Sequence, residues 1–126
     1  MIKMVCLFRI KPGLSRDEFI AYYETHHAPL IARLIPQPVR YQRSYLIPGT
    51  LLKNSDASAG LSSDGAADDT PFDVMTEAWF DSQAAFDEML AITNDPEIGR
   101  IIAEDEEKFM DLKKNIVFLA DERITR

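Results

Sequence analysis

One cysteine, two histidines, one tryptophan and five glycines stand in a chain of 126 residues, and each scarcity removes a class of protein. The lone Cys6 excludes a disulfide within the chain and argues against a cysteine-based metal site. Set in the apolar run Met4-Val5-Cys6-Leu7-Phe8, it is expected to be plain core. No apolar run approaches the roughly 18 residues of a helical membrane span. No basic stretch followed by an apolar one opens the chain at Met1. The sequence therefore predicts a cytoplasmic protein without a membrane partner. Positive charge is also short, 14 Lys and Arg against 21 Asp and Glu for a net charge of -7, which disfavours a nucleic-acid partner. Glycine-rich phosphate loops, nucleophile elbows and dinucleotide fingerprints are missing, as are internal repeats. A hydrophobic small molecule is the partner class that remains.

What is present fits one domain spanning residues 1–126, since 46% hydrophobic residues suffice for a single core. Ile2 to Ile10 reads as a first strand closed by Lys11-Pro12-Gly13. Ser15 and Glu18 form a capping box ahead of Phe19, Tyr22, Tyr23, His26 and Leu30 at helical spacing. Val39 to Ile47 alternates, with Tyr41, Arg43 and Tyr45 on one face. Residues 50–71 turn to Gly, Ser, Asp and Ala and are expected to be a flexible insertion. Val74 to Phe80 is a third strand, Ser82 caps a helix carrying Phe86, Met89 and Leu90, Asp95-Pro96 opens another, and Asn115 to Ala120 ends the series. The order βαββαβ predicts an α+β, ferredoxin-like fold: a four-stranded antiparallel sheet with its helices on one face. The first and last strands are apolar on both faces, so the uncovered side predicts a homodimer, a dimeric α/β-barrel.

Two anomalies carry candidate chemistry. Pro29 lies inside the first helical pattern, so a kink or restart is expected directly after His26-His27, with Ala28 pushed away from helical dihedrals. His26 falls on the apolar stripe seven residues after Phe19, His27 four after Tyr23, and periodicity alone does not choose between them. Adjacent histidines point roughly 100° apart on a helix. The chain has no third one, so neither a metal nor a cofactor is expected. Asp105 occupies an apolar position of the stripe Ile98, Ile101, Ile102, Phe109, and a buried carboxylate requires a partner. An inward imidazole, Arg43, Tyr41, Tyr45 or a ligand are the candidates. Glu77 and Trp79 share one strand face, and Glu77 is expected to pair with Arg9 or Lys3.

The blocks Lys11-Pro12-Gly13-Leu14-Ser15-Arg16-Asp17-Glu18-Phe19, Tyr22-Tyr23, His26-His27-Ala28-Pro29-Leu30, Phe72-Asp73, Glu77-Ala78-Trp79-Phe80-Asp81-Ser82 and Asp105-Glu106 with Phe109 and Asp111 resemble the EthD domain family. The resemblance implies a dimeric α/β-barrel with a pocket between helices and sheet. It also moves the weight from His26 to His27, with Asp105 as the family's recurrent aspartate. The expected activity is a small cofactor-independent lyase or isomerase, dehydratase- or cyclase-like, acting on a cyclic or polyketide-like carbonyl compound. In it His27 is the base and Asp105 its orienting partner, with Tyr23, Tyr41, Tyr45, Trp79 and Phe109 around the substrate. A cofactor-free oxygenase and a non-catalytic small-molecule binder are the rival expectations.

Overall fold

The computed structural model describes residues 1–50, 52 and 71–126, so the insertion expected at about 50–71 lies almost wholly outside the described residues. Strand β1 (Ile2–Phe8) runs into a turn at Pro12-Gly13, where Gly13 takes φ +92°, a geometry that suits glycine. Ser15 then caps helix α1 (Arg16–Tyr22). Its hydroxyl accepts from the Glu18 N–H at 3.1 Å, and the Glu18 carboxylate accepts from the Ser15 N–H at 3.0 Å. Both halves of the predicted capping box are made.

A new helix does start directly after the two histidines, but without the break in helical dihedrals expected at Ala28. The chain stays helical from α1 through a π-helical turn (Tyr23–His27) into α2 (Ala28–Leu34), and Ala28 keeps helical dihedrals, φ −60° and ψ −44°. Proline removes an N–H and crowds the carbonyl four residues back. Here the hydrogen-bond register widens instead, with the Ala28 N–H donating to the Tyr23 carbonyl five residues back. Pro29 then sits in the first turn of α2, where a missing N–H costs little.

Strands β2 (Arg40–Tyr45) and β3 (Val74–Phe80) follow. The Ser82 hydroxyl caps α3 (Gln83–Thr93), and Asp95 caps α4 (Pro96–Glu107) with Pro96 at its first position. A short 3₁₀ turn, Leu112–Lys114, leads into β4 (Ile116–Asp121). The sheet is antiparallel throughout in the order β2-β3-β1-β4, the ferredoxin-like βαββαβ arrangement.

Register decides which residues face the helices. Cys6 stands opposite Thr76 on one side and Val117 on the other, and Ala78 opposite Met4 and Tyr41. Because side chains alternate, Met4, Cys6, Phe8, Tyr41, Thr76, Ala78 and Val117 share the helix side. The other side carries Lys3, Val5, Leu7, Glu77, Trp79, Ile116 and Phe118. On that far side Glu77, only 5% exposed, is ion-paired to Lys3 and accepts from Gln42 Nε2 at 3.3 Å. The Trp79 indole N–H donates to the Glu122 carboxylate at 3.0 Å, and its ring lies under Lys3 and Arg40. Of the two partners expected for Glu77, Lys3 takes the place. Ile116 and Phe118 nevertheless stay 56% and 45% exposed on this face.

A buried carboxylate that loses its cation is expensive. Lys3→Met should lower stability by about 3 kcal/mol in denaturant melts. The double variant Lys3→Met/Glu77→Met should recover most of that. Additive losses from the two single changes would show that the pair is not the interaction that matters.

Candidate active site

Four residues on the first helical segment and the one that follows it are spaced strictly by four: Phe19, Tyr23, His27, Ile31 and Ile35. On a uniform α-helix at 100° per residue such a row drifts by about 80° over eight residues. The π turn takes up that drift. Phe19, Tyr23, His27 and Ile35 are all buried, and His27 is only 2% exposed. His26, by contrast, faces outward and stacks on the Tyr22 ring at 4.9 Å.

The π turn also changes who stands beside His27. Residues five apart on an α-helix diverge by about 140°, yet Tyr22 and His27 converge on one carboxylate. The His27 Nδ1 lies 2.8 Å from Asp105 Oδ2, and the Tyr22 hydroxyl donates to Asp105 Oδ1 at 2.5 Å. Asp105 sits in the last turn of α4. Its carboxyl is held below the usual aspartate range. Burial alone raises it, but the hydrogen bonds from Tyr22 and His27 and the nearby Lys108 charge outweigh that. An ionised carboxylate only accepts, so His27 carries its proton on Nδ1 and presents a bare Nε2. Burial lowers the His27 pKa below the ordinary histidine value more than Asp105 raises it, so the ring is neutral at pH 7. Phe109, fully buried, backs the ring at 5.0 Å, and Tyr23 meets it edge-on at 5.4 Å.

Beyond Nε2 is a cavity of about 330 Å³. Met4, Cys6, Phe8, Tyr41, Thr76 and Val117 of the sheet form its floor. Tyr23, His27, Ile31 and Ile35 form one wall, and Met89, Leu90, Thr93, Ile102 and Glu106 the other, with Asn115 at the edge. A smaller hollow of about 150 Å³ shares Met4, Ile31, Tyr41 and Thr76 with it and extends toward Ala78 and Phe80. Together they have the size and apolar character of small-molecule sites. The Tyr23 hydroxyl is hydrogen-bonded with Thr76 Oγ1 at 2.6 Å on the floor. Burial pushes Tyr23 and Tyr41 up, so both stay protonated donors, and it raises the Cys6 thiol to about 12, which leaves it inert. Glu106 Oε2 lies 3.9 Å from His27 Nε2. Burial, reinforced by the Asp105 charge, raises its carboxyl to about 7.

The residues singled out from the sequence thus divide. His27, Asp105, Tyr23 and Tyr41 come together at the cavity. Phe109 packs behind His27 and Trp79 lies on the opposite sheet face, so neither reaches it. Tyr45 instead donates to Glu24, which also forms a two-pronged bond with Arg43 at 2.7 and 2.9 Å. Tyr22 and Glu106 were not singled out from the sequence. The five-residue spacing that brings Tyr22 to Asp105 has meaning only in a π turn, and Glu106 looks like one more charge in an acidic run. Among the described residues, no group of three or more His, Cys, Asp or Glu is placed to hold a metal ion.

The EthD domain pattern matches residues 11–113, most of the chain. The chain belongs to the EthD family. Its match takes in α1, the π turn, Asp105 and Glu106, so the whole polar cluster lies within the EthD domain. Solved structures resemble it over nearly its full length. An EthD family protein from Bacillus halodurans C-125 is 20% identical, with 98% of this chain and 99% of that one covered and a TM-score of 0.59. A dimeric ferredoxin-like protein of unknown function from Thermobifida fusca YX is 16% identical, covering 94% and 88%, with a TM-score of 0.53. SnoaB from Streptomyces nogalater, described as a cofactor-independent oxygenase, is 18% identical, covering 98% and 94%, with a TM-score of 0.53. At these identities the likeness is one of fold. No curated protein matches the chain.

Proposed function

We propose that this EthD domain is a cofactor-independent lyase or isomerase that removes a proton next to the carbonyl of a cyclic, polyketide-like compound. The observation that carries the reading is the bare Nε2 of a buried, neutral His27 at the wall of an apolar cavity, with Nδ1 fixed by Asp105. A general base needs a lone pair aimed at substrate and a pKa below the working pH, and this arrangement supplies both. Asp105 fixes the tautomer and stabilises the imidazolium that forms, and Tyr22 in turn holds Asp105. The enolate oxygen needs a neutral donor, and Tyr41 on the cavity floor is the hydroxyl we assign to it. The cavity and its annex suit a fused-ring compound with a short substituent.

We also propose that the domain works as a homodimer. The support is the exposed Ile116 and Phe118 on the helix-free face and the description of a structural neighbour as dimeric. Light scattering should give twice the mass of 14.3 kDa, and a stable monomer at micromolar concentration would reject the assembly.

His27→Ala should reduce turnover by about 10²–10⁴-fold with the fold intact. Proton abstraction, read as exchange at the substrate carbon, should rise with pH as His27 loses its proton, with the half-point below the ordinary histidine value of about 6.5. Asp105→Asn removes the charge that favours the imidazolium, so it should move that half-point further down as well as lowering the plateau. Oxygen consumption separates the rival fold-level reading. Turnover without oxygen uptake supports the proton-transfer assignment, while uptake in proportion to product would replace it with oxygenase chemistry.

A further inference from the structure

Glu106 is the one carboxyl among the described residues lining the cavity, and the base mechanism leaves it unused. Its Oε2 stands 3.9 Å from the Nε2 that takes the substrate proton, too far for a hydrogen bond and near enough to exchange a proton after a small side-chain rotation. We propose that Glu106 is the catalytic acid of a syn dehydration: His27 and Glu106, 3.9 Å apart where the two cavity walls meet, remove water from a β-hydroxy carbonyl compound. The inference rests on His27 being the base.

The step balances within the site. Nε2 takes the proton from the carbon between carbonyl and carbinol, and the electron pair left behind becomes the carbon–carbon double bond. The β carbon–oxygen bond breaks, and the Glu106 carboxyl proton passes to the departing hydroxyl to give water. The imidazolium then returns its proton to the Glu106 carboxylate across the short gap, so each turnover leaves the site unchanged and consumes no co-reactant. Because Oε2 stands only 3.9 Å from Nε2, both groups reach the substrate from the same corner of the cavity, so hydrogen and hydroxyl leave from the same face.

The surroundings raise the Glu106 carboxyl to about 7, so a protonated fraction is present at neutral pH before the reaction. Ionised Asp105 is its neighbour on α4. From the first helix His27 faces it as a neutral ring and Tyr23 as a protonated phenol. From the sheet come the un-ionised Cys6 and Tyr41, and Asn115 ahead of β4 is uncharged. No Lys or Arg is among the described lining residues. An acid raised by burial and a like charge fits the donor's task at neutral pH.

The test uses two probes on the full chain. Hydrogen–deuterium exchange at the α carbon of 1-tetralone needs a base alone, whereas conversion of 3-hydroxy-1-tetralone to 1-naphthol needs base and acid. For Glu106→Gln the ratio of dehydration to exchange should fall by about 100-fold or more, and Glu106→Asp should recover part of it. An equal loss in both reactions would make Glu106 a support for His27 and overturn the proposal, as would an unchanged ratio. If the wild-type protein catalyses neither reaction, the His27 reading has failed and this one falls with it. A measurement without substrate separates the two. A carboxyl whose folded pKa is raised from about 4.5 to about 7 weighs against folding increasingly as pH rises through that window. Glu106→Gln should therefore raise Tm at pH 8 and leave it nearly unchanged at pH 4.5. A pH-independent difference would contradict a proton held on Glu106.

Discussion

Everything at this site depends on where the Asp105 carboxylate finds its hydrogen bonds. A carboxylate drawn into a helix–helix seam must be paired, and both of its partners, Tyr22 and His27, come from the same stretch of the neighbouring helix. On an ordinary α-helix those two residues point too far apart to share one acceptor. The π turn at Tyr23–His27 brings them together. The hydrogen-bond register that accommodates Pro29 and the register that serves Asp105 are therefore one piece of geometry. This is how π turns concentrate at functional positions.

That grip sets the electrostatics of the cavity beyond it. Because Asp105 is charged and only accepts, His27 keeps its proton on the far nitrogen and turns a lone pair toward the apolar space. Burial, reinforced by the Asp105 charge, makes Glu106 next to it on α4 resist ionising. Burial thus disfavours charge on both neighbours of Asp105, while Asp105 itself fixes the His27 tautomer and adds to the rise at Glu106, the opposed states that the proposed base and acid require. The aromatic ring of Phe109 and the edge of Tyr23 keep water from the imidazole and fix its plane. On the opposite face of the sheet Lys3, Glu77, Trp79 and Glu122 form a separate polar network with no access to this chemistry.

The sequence was most informative where local chemistry is decisive. Ser15 with Glu18, Ser82, and Asp95 with Pro96 mark helix starts because their side chains satisfy amides a few residues away. Val74 to Phe80 reads as a strand from its β-branched and aromatic residues. Asp105 also stood out, since a carboxylate in an apolar row contradicts its surroundings. What was hidden needed more than local rules. The choice of His27 over His26 turns on a drift of tens of degrees that a heptad template ignores, although the strict spacing of four from Phe19 to Ile35 contained the signal. The placing of Trp79 away from the cavity follows from the pairing of Met4 with Ala78, which no single strand reveals. Glu106 escaped notice because adjacent acidic residues in a helix normally read as a solvated face.

The most direct measurement of the account is the state of the His27 ring itself, by nitrogen-15 NMR of histidine-labelled protein at pH 7, assigned by comparison with His27→Ala. The account predicts a neutral ring protonated on Nδ1, with an Nδ1 proton shifted strongly downfield by its bond to Asp105 and a lone pair on Nε2. A ring protonated on Nε2, or a doubly protonated imidazolium at that pH, would contradict it.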